Sequence, residues 1–297
     1  MLSTLLNSLQ QTLIFLPLAF GVYLSYEILM ITDLTVEGTF VLGAAIFARL
    51  ATLGCNQFIA VIAALAGGAL IGIGVTFMQR VAKINSLIAG ILATFMLYSV
   101  NFGIMNRPNI SLLDSSIFLQ HLQDYHPQSL TFFLLFFIIA LAAILILFLH
   151  SQLGLEMRAF GCSPHLLKKL GKKPTFFLCI GLATSNALSA LCGVMTAQVD
   201  GYADISMGLG MALTAIGAVV IGKKLISGLL KTNRFNAAIG LFSCFIGAYI
   251  YFLILNGFLV MGINPIYLKL LLGLVLVAFL STAHYTRQRG ELYATAD

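Results

Sequence analysis

Residues 154–171 read GLEMRAFGCSPHLLKKLG, a charged island between two long apolar blocks around which the rest of the chain is arranged. The island predicts a short helix that lies flat at a membrane surface. Ser163 can accept a hydrogen bond from a free backbone N–H at the start of that helix, and Pro164 suits its first position, where no N–H is needed. Gly171 can adopt the left-handed conformation that ends it.

The predicted helix is amphipathic, with an apolar face and a basic face. The apolar face consists of Leu166, Leu167 and Leu170, and the basic residues are Lys168, Lys169, Lys172 and Lys173. An amphipathic helix this short, placed between two spans, needs a surface against which it can dock.

The composition is that of a polytopic membrane protein. The 297 residues are 60% hydrophobic and 9% charged, with a mean hydropathy of +1.02, which excludes a soluble domain with one core. We therefore predict an all-α fold in a single transmembrane domain over residues 1–297. The N-terminus has no basic segment and no cleavage site, so its first apolar block is predicted to be a retained span.

Apolar runs close to the ~20 residues that cross a bilayer as a helix predict about nine transmembrane helices, within a range of eight to ten. These runs are residues 11–31, 36–54, 57–78, 86–105, 129–150, 174–198, 207–222, 236–257 and 265–284.

The distribution of lysine and arginine predicts the orientation. If the island is cytoplasmic, thirteen of the sixteen basic residues lie inside, all except Arg49, Arg107 and Lys269, as the positive-inside rule favours. The loop 106–128 and the N-terminus then lie outside. The same rule accounts for the net charge of +6, so we expect the lipid bilayer, and no nucleic acid, as the partner of the basic residues.

A short internal similarity predicts an inverted repeat. Asp33-Leu-Thr-Val-Glu-Gly38 and Asp204-Ile-Ser-Met-Gly208 share the order Asp, aliphatic, hydroxyl, aliphatic. The two motifs are five spans apart, and an odd offset inverts the second half, with the fifth span as the connector. Chance similarity is the alternative for so short a match.

No pattern in the chain indicates an enzyme, a cofactor or a metal site. The stretch Gly217–Lys224 nearly matches a phosphate-binding loop, but it ends in Lys where a magnesium-binding hydroxyl is needed, and it closes a membrane span. The five histidines have no ligand spacing, and the five cysteines form no C-x-x-C pair.

Polar side chains in and beside the spans mark a candidate substrate path. Asn186 and Gln198 lie in the sixth span, where small polar residues serve either helix packing or the wall of a hydrated path. Asp33 and Glu37 lie at the edge of the second span, where an ionisable group usually faces a cavity or a partner, although Asp33 could instead cap that span. We predict that Glu37, Asn186 and Gln198 face one central cavity. The candidate path residues are Asp33, Thr35, Glu37, Asn186, Gln198 and Asp204.

Four stretches, taken in order, carry a family resemblance over nearly the whole chain. They are LTVEGTFVLGA at 34–44, NRPNISLL at 106–113, the island, and ALSALCGVMTAQVDGYADISMGLGM at 187–211. Together they resemble bacterial ABC transporter permeases of the branched-chain-amino-acid type, and most closely the tryptophan/tyrosine-type subfamily. The island is similar to the cytoplasmic coupling segment of that family at Gly154, Arg158, Ala159, Gly161 and Leu170-Gly171.

The resemblance implies the inner-membrane subunit of an importer. Its partners would be a second permease copy, two separate ABC ATPase subunits and an extracytoplasmic binding protein docked on the loop 106–128 and near Asp204. Closure of the ATPases would push the helix Pro164–Lys169, with Leu166, Leu167 and Leu170 seated in an ATPase groove. Arg158 would fix the angle of this helix by bonding several carbonyls or a carboxylate.

The resemblance also implies a small solute as substrate, an amino acid and, from the subfamily alone, an aromatic one. Two other classes of protein stay open on the residues themselves. A secondary transporter or channel driven by an ion gradient would also be polytopic with inverted repeats. A membrane-embedded enzyme would need a polar catalytic cluster at one depth, and the sequence offers none.

Overall fold

A computed structural model describes residues 2–113, 117–125, 127–229 and 236–264, and the single residues 267, 270, 273, 274 and 277. Their fold is all-α apart from one short two-stranded ribbon. The helices are α1 Leu2–Tyr23, α2 Thr35–Thr52, α3 Gln57–Arg80, α4 Ser86–Met105, α5 Phe118–Tyr125, α6 Pro127–His150, α7 Gln152–Cys162, α8 Pro164–Lys169, α9 Pro174–Asp200, α10 Met211–Leu229 and α11 Ala237–Val260. A π-helical turn, Leu24–Ile28, continues α1, and β1 Asn109–Ser111 pairs antiparallel with β2 Tyr202–Asp204.

Seven helices of the described chain are long and apolar enough to cross a membrane, which confirms an all-α polytopic fold. They are Thr4–Ile28, Thr35–Thr52, Gln57–Arg80, Ser86–Met105, Gln128–His150, Pro174–Asp200 and Ala237–Val260. The seventh predicted span corresponds to α10, which begins only at Met211 because residues 205–210 form turns and Gly210 has a φ of +86°. The ninth predicted span, 265–284, lies outside the described residues except for a few single positions.

Contacts divide the chain into two compact units, Leu13–Ile216 and, together, Met1–Thr12 with Gly217–Asp297. The single domain over residues 1–297 therefore stays a prediction. The first unit is built around α2 and α9, whose most apolar windows are 67% and 72% buried. It contains the island and all the candidate path residues.

Small residues let the central helices of the first unit approach closely. A Cβ added to Gly43 would overlap the backbone of Ala190, and one added to Gly193 would overlap the carbonyl oxygen of Phe40. Gly72 of α3 meets the backbone of Leu182 in the same way. Close backbone contact through small residues is how membrane helices pack, and it was one of the two alternatives that the sequence left open for the span of α9.

The second unit packs α10 against α11 by the same means. A Cβ on Gly222 would overlap the carbonyl oxygen of Ser243, and a Cβ on Gly247 would overlap that of Ala218. The buried amide of Asn256 donates hydrogen bonds to Ser8 Oγ at 3.0 Å and Gln11 Oε1 at 2.8 Å. Partnered amides of this kind fix helix pairing in an apolar medium.

Different chemistry marks the two ends of the first unit. At one end the guanidinium of Arg80 lies over the ring of Phe160, 5.3 Å from its centroid, beside the basic island. At the other end the β1–β2 ribbon and α5 lie close to the start of α3, where Phe118 N donates to Gln57 Oε1 at 3.1 Å. The sequence argument predicted neither the ribbon nor α5, since both are too short to show a periodic pattern.

Candidate functional site

The island forms two helices, where the sequence predicted one. Ser151 caps α7 by accepting a hydrogen bond from Gly154 N at 3.5 Å, and the extended Ser163 separates α7 from α8. As predicted, α8 begins at Pro164 and ends before Gly171, which has a φ of +73°. The sequence pattern missed α7 because its two glycines weaken the helical signal.

Arg158 braces the corner between α6 and α7. Its Nε donates to the carbonyl oxygen of Gly154 at 3.4 Å, and its NH2 group donates to the carbonyl oxygen of Leu149 at 3.3 Å. The planar guanidinium therefore joins a carbonyl at the end of α6 to one in α7. This is the kind of brace that the sequence argument expected, but it holds the α6–α7 corner because Arg158 lies inside α7.

Glycines seat α7 against its neighbours. A Cβ on Gly154 would overlap the backbone of Leu149, and a Cβ on Gly161 would overlap the carbonyl oxygen of Ile28 in the π-helical turn. Ala159, between them, is half-buried. The island is thereby in direct backbone contact with the π-helical turn that continues α1.

The two leucines whose burial is described, Leu167 in α8 and Leu170 directly after its end, do not share one environment. Leu167 is 1% exposed and Leu170 is 64% exposed, while the side chain of Leu166 lies outside the described part of the structure. This corrects the expectation that all three enter an ATPase groove, because Leu167 is already covered by the chain itself. Leu167 holds α8 in place, and Leu170 is available to a partner.

An ion pair ties the end of the island back to α7. Lys172 Nζ pairs with Glu156 Oε1, and Gln152 Nε2 donates to the same oxygen at 3.2 Å. The Glu156 side chain is 15% exposed. The Lys172 side chain is 37% exposed, so water partly screens the pair, which links α7 to the residues just before α9.

Asp33 and Asn186 form a buried polar network in the middle of the first unit. Asn186 Nδ2 donates to Asp33 Oδ2 at 2.8 Å, and Asn186 Oδ1 accepts from Thr39 Oγ1 at 3.0 Å. Asp33 Oδ1 accepts from Thr35 N at 2.9 Å. All four residues are buried, and Asp33 also takes the N-cap-like position that the sequence argument left open.

Glu37 lies one turn further along α2 and is half-buried. Its Oε1 accepts hydrogen bonds from Gly210 N at 3.1 Å and from Ala212 N at 3.3 Å, at the start of α10. The carboxylate thus meets free N–H groups at a helix N-terminus, where negative charge is favoured. It also lines a cavity of about 380 Å³ between α2, α4 and residues 205–209.

Gln198 lines a different cavity, of about 280 Å³, near α5 and α6. The structure therefore separates the three residues that the sequence argument placed around one cavity. Glu37 and Gln198 line separate cavities, and Asn186 is fully buried beside Asp33. The spacing of residues along one helix could not show this, because other helices complete each cavity. The cavity at Glu37 is completed by α4, and the cavity at Gln198 by α3, α5 and α6.

Asp204 organises the turn before α10. Its Oδ1 accepts hydrogen bonds from the hydroxyl and the backbone N–H of Ser206, and its Oδ2 accepts from Asn109 Nδ2 at 3.3 Å across the ribbon. The hydrogen bonds from Ser206 lower the pKa of this carboxyl. The stabilisation that the ionised Asp204 gives to this turn is therefore complete near neutral pH, and it is lost as the pH falls through that lowered pKa.

One functional candidate escaped the sequence argument. Asn101 lies in α4, lines the same cavity as Glu37, and donates Nδ2 to the carbonyl oxygen of Gly38 at 3.2 Å. An isolated amide in an otherwise apolar span was the available signal. Among the described residues no group of three His, Cys, Asp or Glu side chains lies close enough together to hold a metal ion.

Comparisons with known proteins agree over almost the whole chain. The family model described as branched-chain amino acid transport system / permease component matches residues 4–280. An uncharacterized protein of Rickettsia prowazekii is 49% identical over 95% of this chain and 98% of its own length. The tyrosine transport system permease protein of Clostridioides difficile is 31% identical over 95% of this chain and 92% of its own length. No solved structure matches.

Proposed function

This chain belongs to the branched-chain amino acid permease family, and we propose that it is the subunit through which an ABC importer carries an aromatic amino acid into a bacterial cell. As a family member it is a multi-pass inner-membrane permease of a transport system for small solutes. The aromatic substrate is supported by the relative named as a tyrosine transport system permease, which aligns with 95% of this chain.

The observation that carries the proposal is the packing of the island. Arg158 bonds carbonyls at the end of α6 and in α7, and Gly161 lies against the backbone of Ile28. A displacement of α8 would therefore be transmitted to the π-helical turn after α1 and to the end of α6. The backbone contacts and the two hydrogen bonds of Arg158 allow these segments little independent movement. The exposed Leu170 offers the pushing partner an apolar contact.

In this proposal the residues have distinct roles. Gly154, Arg158, Ala159, Gly161, Pro164 and Leu167 shape and hold the coupling segment, and Leu166, Leu170 and Gly171 present it to an ATPase subunit. Glu37 lines the solute path, together with Gln198 in a second cavity. Asp33, Thr35 and Asn186 hold the start of α2, and Asp204 fixes the outer turn where an extracytoplasmic binding protein would dock. Each chain would form one permease domain, and a second copy of the chain would complete the path.

Copurification tests the proposal. The tagged chain is purified from its native membrane in a mild detergent, and its partners and any bound solute are identified by mass spectrometry. We expect an ABC ATPase subunit, and we expect uptake of labelled tyrosine into reconstituted vesicles to require ATP. Uptake that follows an ion gradient, with no ATPase in the preparation, would instead assign the chain to the secondary transporters.

A further inference from the structure

The cavity beside Glu37 has the size and the wall of a small-molecule site. Its volume of about 380 Å³ falls within the range of roughly 300–1,000 Å³ that is common for small-ligand pockets. Most of its wall is apolar, with Val41 and Leu209 among the lining residues. Such sites place a few polar groups in an apolar wall, and those polar groups determine which ligand is held.

Asn101 presents an acceptor that nothing in the described chain satisfies. The residue is 1% exposed, and its Nδ2 donates to the carbonyl oxygen of Gly38 at 3.2 Å, which fixes the orientation of the amide. Its Oδ1 is buried and accepts no hydrogen bond from the described residues. A buried acceptor without a partner is unfavourable, so a ligand that donates a hydrogen bond would relieve it.

The other polar groups of the wall are also suited to a donor. The Glu37 carboxylate is held in place by Gly210 N and Ala212 N, and the described residues that line the cavity include no Lys or Arg. The hydroxyl of Thr94 donates to the carbonyl oxygens of Leu34 and Gly90, at 3.1 Å and 3.0 Å. The wall therefore offers negative charge and acceptor atoms, which match the three N–H donors of an ammonium group.

Aromatic rings stand at the mouth of the same cavity. Phe95 and Tyr98 both lie on α4 and are 71% and 58% exposed. Exposed rings beside a site for a cation can stack on an aromatic ligand or face its ammonium group.

We propose that this cavity binds an amino acid with an aromatic side chain by its ammonium end, with Glu37 and Asn101 accepting hydrogen bonds and Phe95 and Tyr98 packing on the ring. Binding requires the ammonium group and does not require the carboxylate, since the described part of the wall has no cation to receive one. The physiological role of the site, as a station on the import path, rests on the proposed function.

Protection of a single thiol tests the site. Leu209→Cys places a reporter in the cavity wall, in a background where the exposed Cys55 and Cys162 are replaced by Ser. The full-length chain is purified into nanodiscs, and the maleimide labelling rate at position 209 is measured by peptide mass spectrometry. The probes are L-tyrosine, tyramine, which lacks the carboxylate, and 3-(4-hydroxyphenyl)propionate, which lacks the amine. Phe136→Cys, on the exposed face of α6, is the matched control.

We expect L-tyrosine and tyramine to slow labelling at position 209 about tenfold when their concentration is about ten times their Kd, since roughly one-tenth of the sites then stay open. The propionate should give no protection, and labelling at position 136 should not change with any probe. Equal protection by the propionate, or no protection by either amine, overturns the proposal.

Two variants assign the protection to the named groups. Glu37→Gln removes the charge, and Asn101→Leu removes the unsatisfied acceptor; each should abolish protection by tyramine. An unchanged labelling rate without ligand shows that the cavity has kept its shape, and Asn101→Leu serves alone if Glu37→Gln disturbs the start of α10. Protection that persists in Asn101→Leu contradicts the assignment.

The outcome is separable from that of the proposed function. If an ATPase copurifies but no probe protects the thiol, the importer proposal stands and the binding-site proposal is overturned. If amines protect the thiol but transport needs no ATPase, the binding-site proposal stands and the importer proposal is overturned.

Discussion

At the scale of single residues, three ionisable groups in or beside the spans meet hydrogen-bond partners in the described chain. Asp33 meets Asn186 and Thr35, Glu37 meets the N–H groups of α10, and Arg158 meets two carbonyls. In an apolar surrounding an unpartnered charge is expensive, so these pairings restrict the local backbone to the arrangement that supplies the partners. The Arg158 brace is the one whose geometry a conservative change can test.

Arg158→Lys is expected to leave the protein inserted and to reduce ATP-coupled uptake several-fold. A lysine ammonium on a flexible stem cannot reach the carbonyls of Gly154 and Leu149 in the fixed fork geometry of a guanidinium. The corner would lose a charged hydrogen bond worth about 1.5–3 kcal/mol. Uptake per inserted transporter is the measurement, with Arg49→Lys at the other end of the first unit as control. Equal uptake in the two variants would reduce Arg158 to a charge anchor at the lipid surface.

At the scale of elements, Leu167 in α8 and Leu170 directly after its end mark a buried and an exposed side of this segment. Leu167 is 1% exposed and Leu170 is 64% exposed, and the ion pair between Lys172 and Glu156 holds the exit of the segment. A helix of six residues is not stable by itself, so its position depends on these contacts.

A matched pair of substitutions separates the two faces. Leu167→Asp should lower stability by at least the roughly 2–5 kcal/mol of a large-to-small core change, because it also buries a charge. Leu170→Asp should change stability by less than about 0.5 kcal/mol, as surface substitutions do, and should weaken ATPase association. Thermal unfolding in detergent and the amount of copurified ATPase are the two measurements. An ATPase that binds Leu170→Asp normally would contradict the docking role of α8.

The contact between α7 and the end of α1 gives a second prediction at this scale. Gly161→Ala should displace α7, since the new methyl group would overlap the carbonyl oxygen of Ile28, and overpacking of this kind costs about 1–3 kcal/mol. Gly74→Ala is the matched control because a Cβ there has no neighbour within 4 Å. We expect coupled uptake to fall in the first variant only, as measured against the amount of folded protein. Normal uptake in Gly161→Ala would show that this contact does not transmit the push.

At the scale of the molecule, the two ends of the first unit carry native reporters of its orientation. Cys55 is exposed at the end that bears the ribbon, and Cys162 is exposed at the end that bears the island. Basic residues gather at the second end, which the positive-inside rule places in the cytoplasm.

A membrane-impermeant maleimide should therefore label Cys55 in intact cells and Cys162 only after the inner membrane is opened. The outer membrane is first permeabilised so that the reagent reaches the periplasm, and peptide mass spectrometry reads each site separately. Cys192, which is buried, serves as the unlabelled internal control. Labelling of Cys162 but not of Cys55 in intact cells would show that the orientation is the opposite of the predicted one.

The family and the membrane class followed from the sequence because they depend on local, repeated signals. Apolar runs of span length, the clustering of lysine and arginine, and four motifs in a fixed order each occupy contiguous residues, and eight of the nine predicted spans correspond to helices of the described chain. The start of α8 at Pro164 and its end before Gly171 followed for the same reason, since a helix cap depends on one or two residues that are adjacent in sequence.

Only the tertiary structure decided which of these residues meet. Periodicity placed Leu166, Leu167 and Leu170 on one face, but burial by the rest of the chain separated Leu167 from Leu170. Spacing along α9 put Asn186 and Gln198 in one span, yet the first is closed against Asp33 and the second lines another cavity than Glu37. A sequence pattern specifies the direction of a side chain from its own helix, whereas a partner or a cavity depends on a second helix distant in sequence. Asn101, the one side-chain amide in α4, could be recognised as a site residue only once the structure placed Glu37 on the wall of the same cavity.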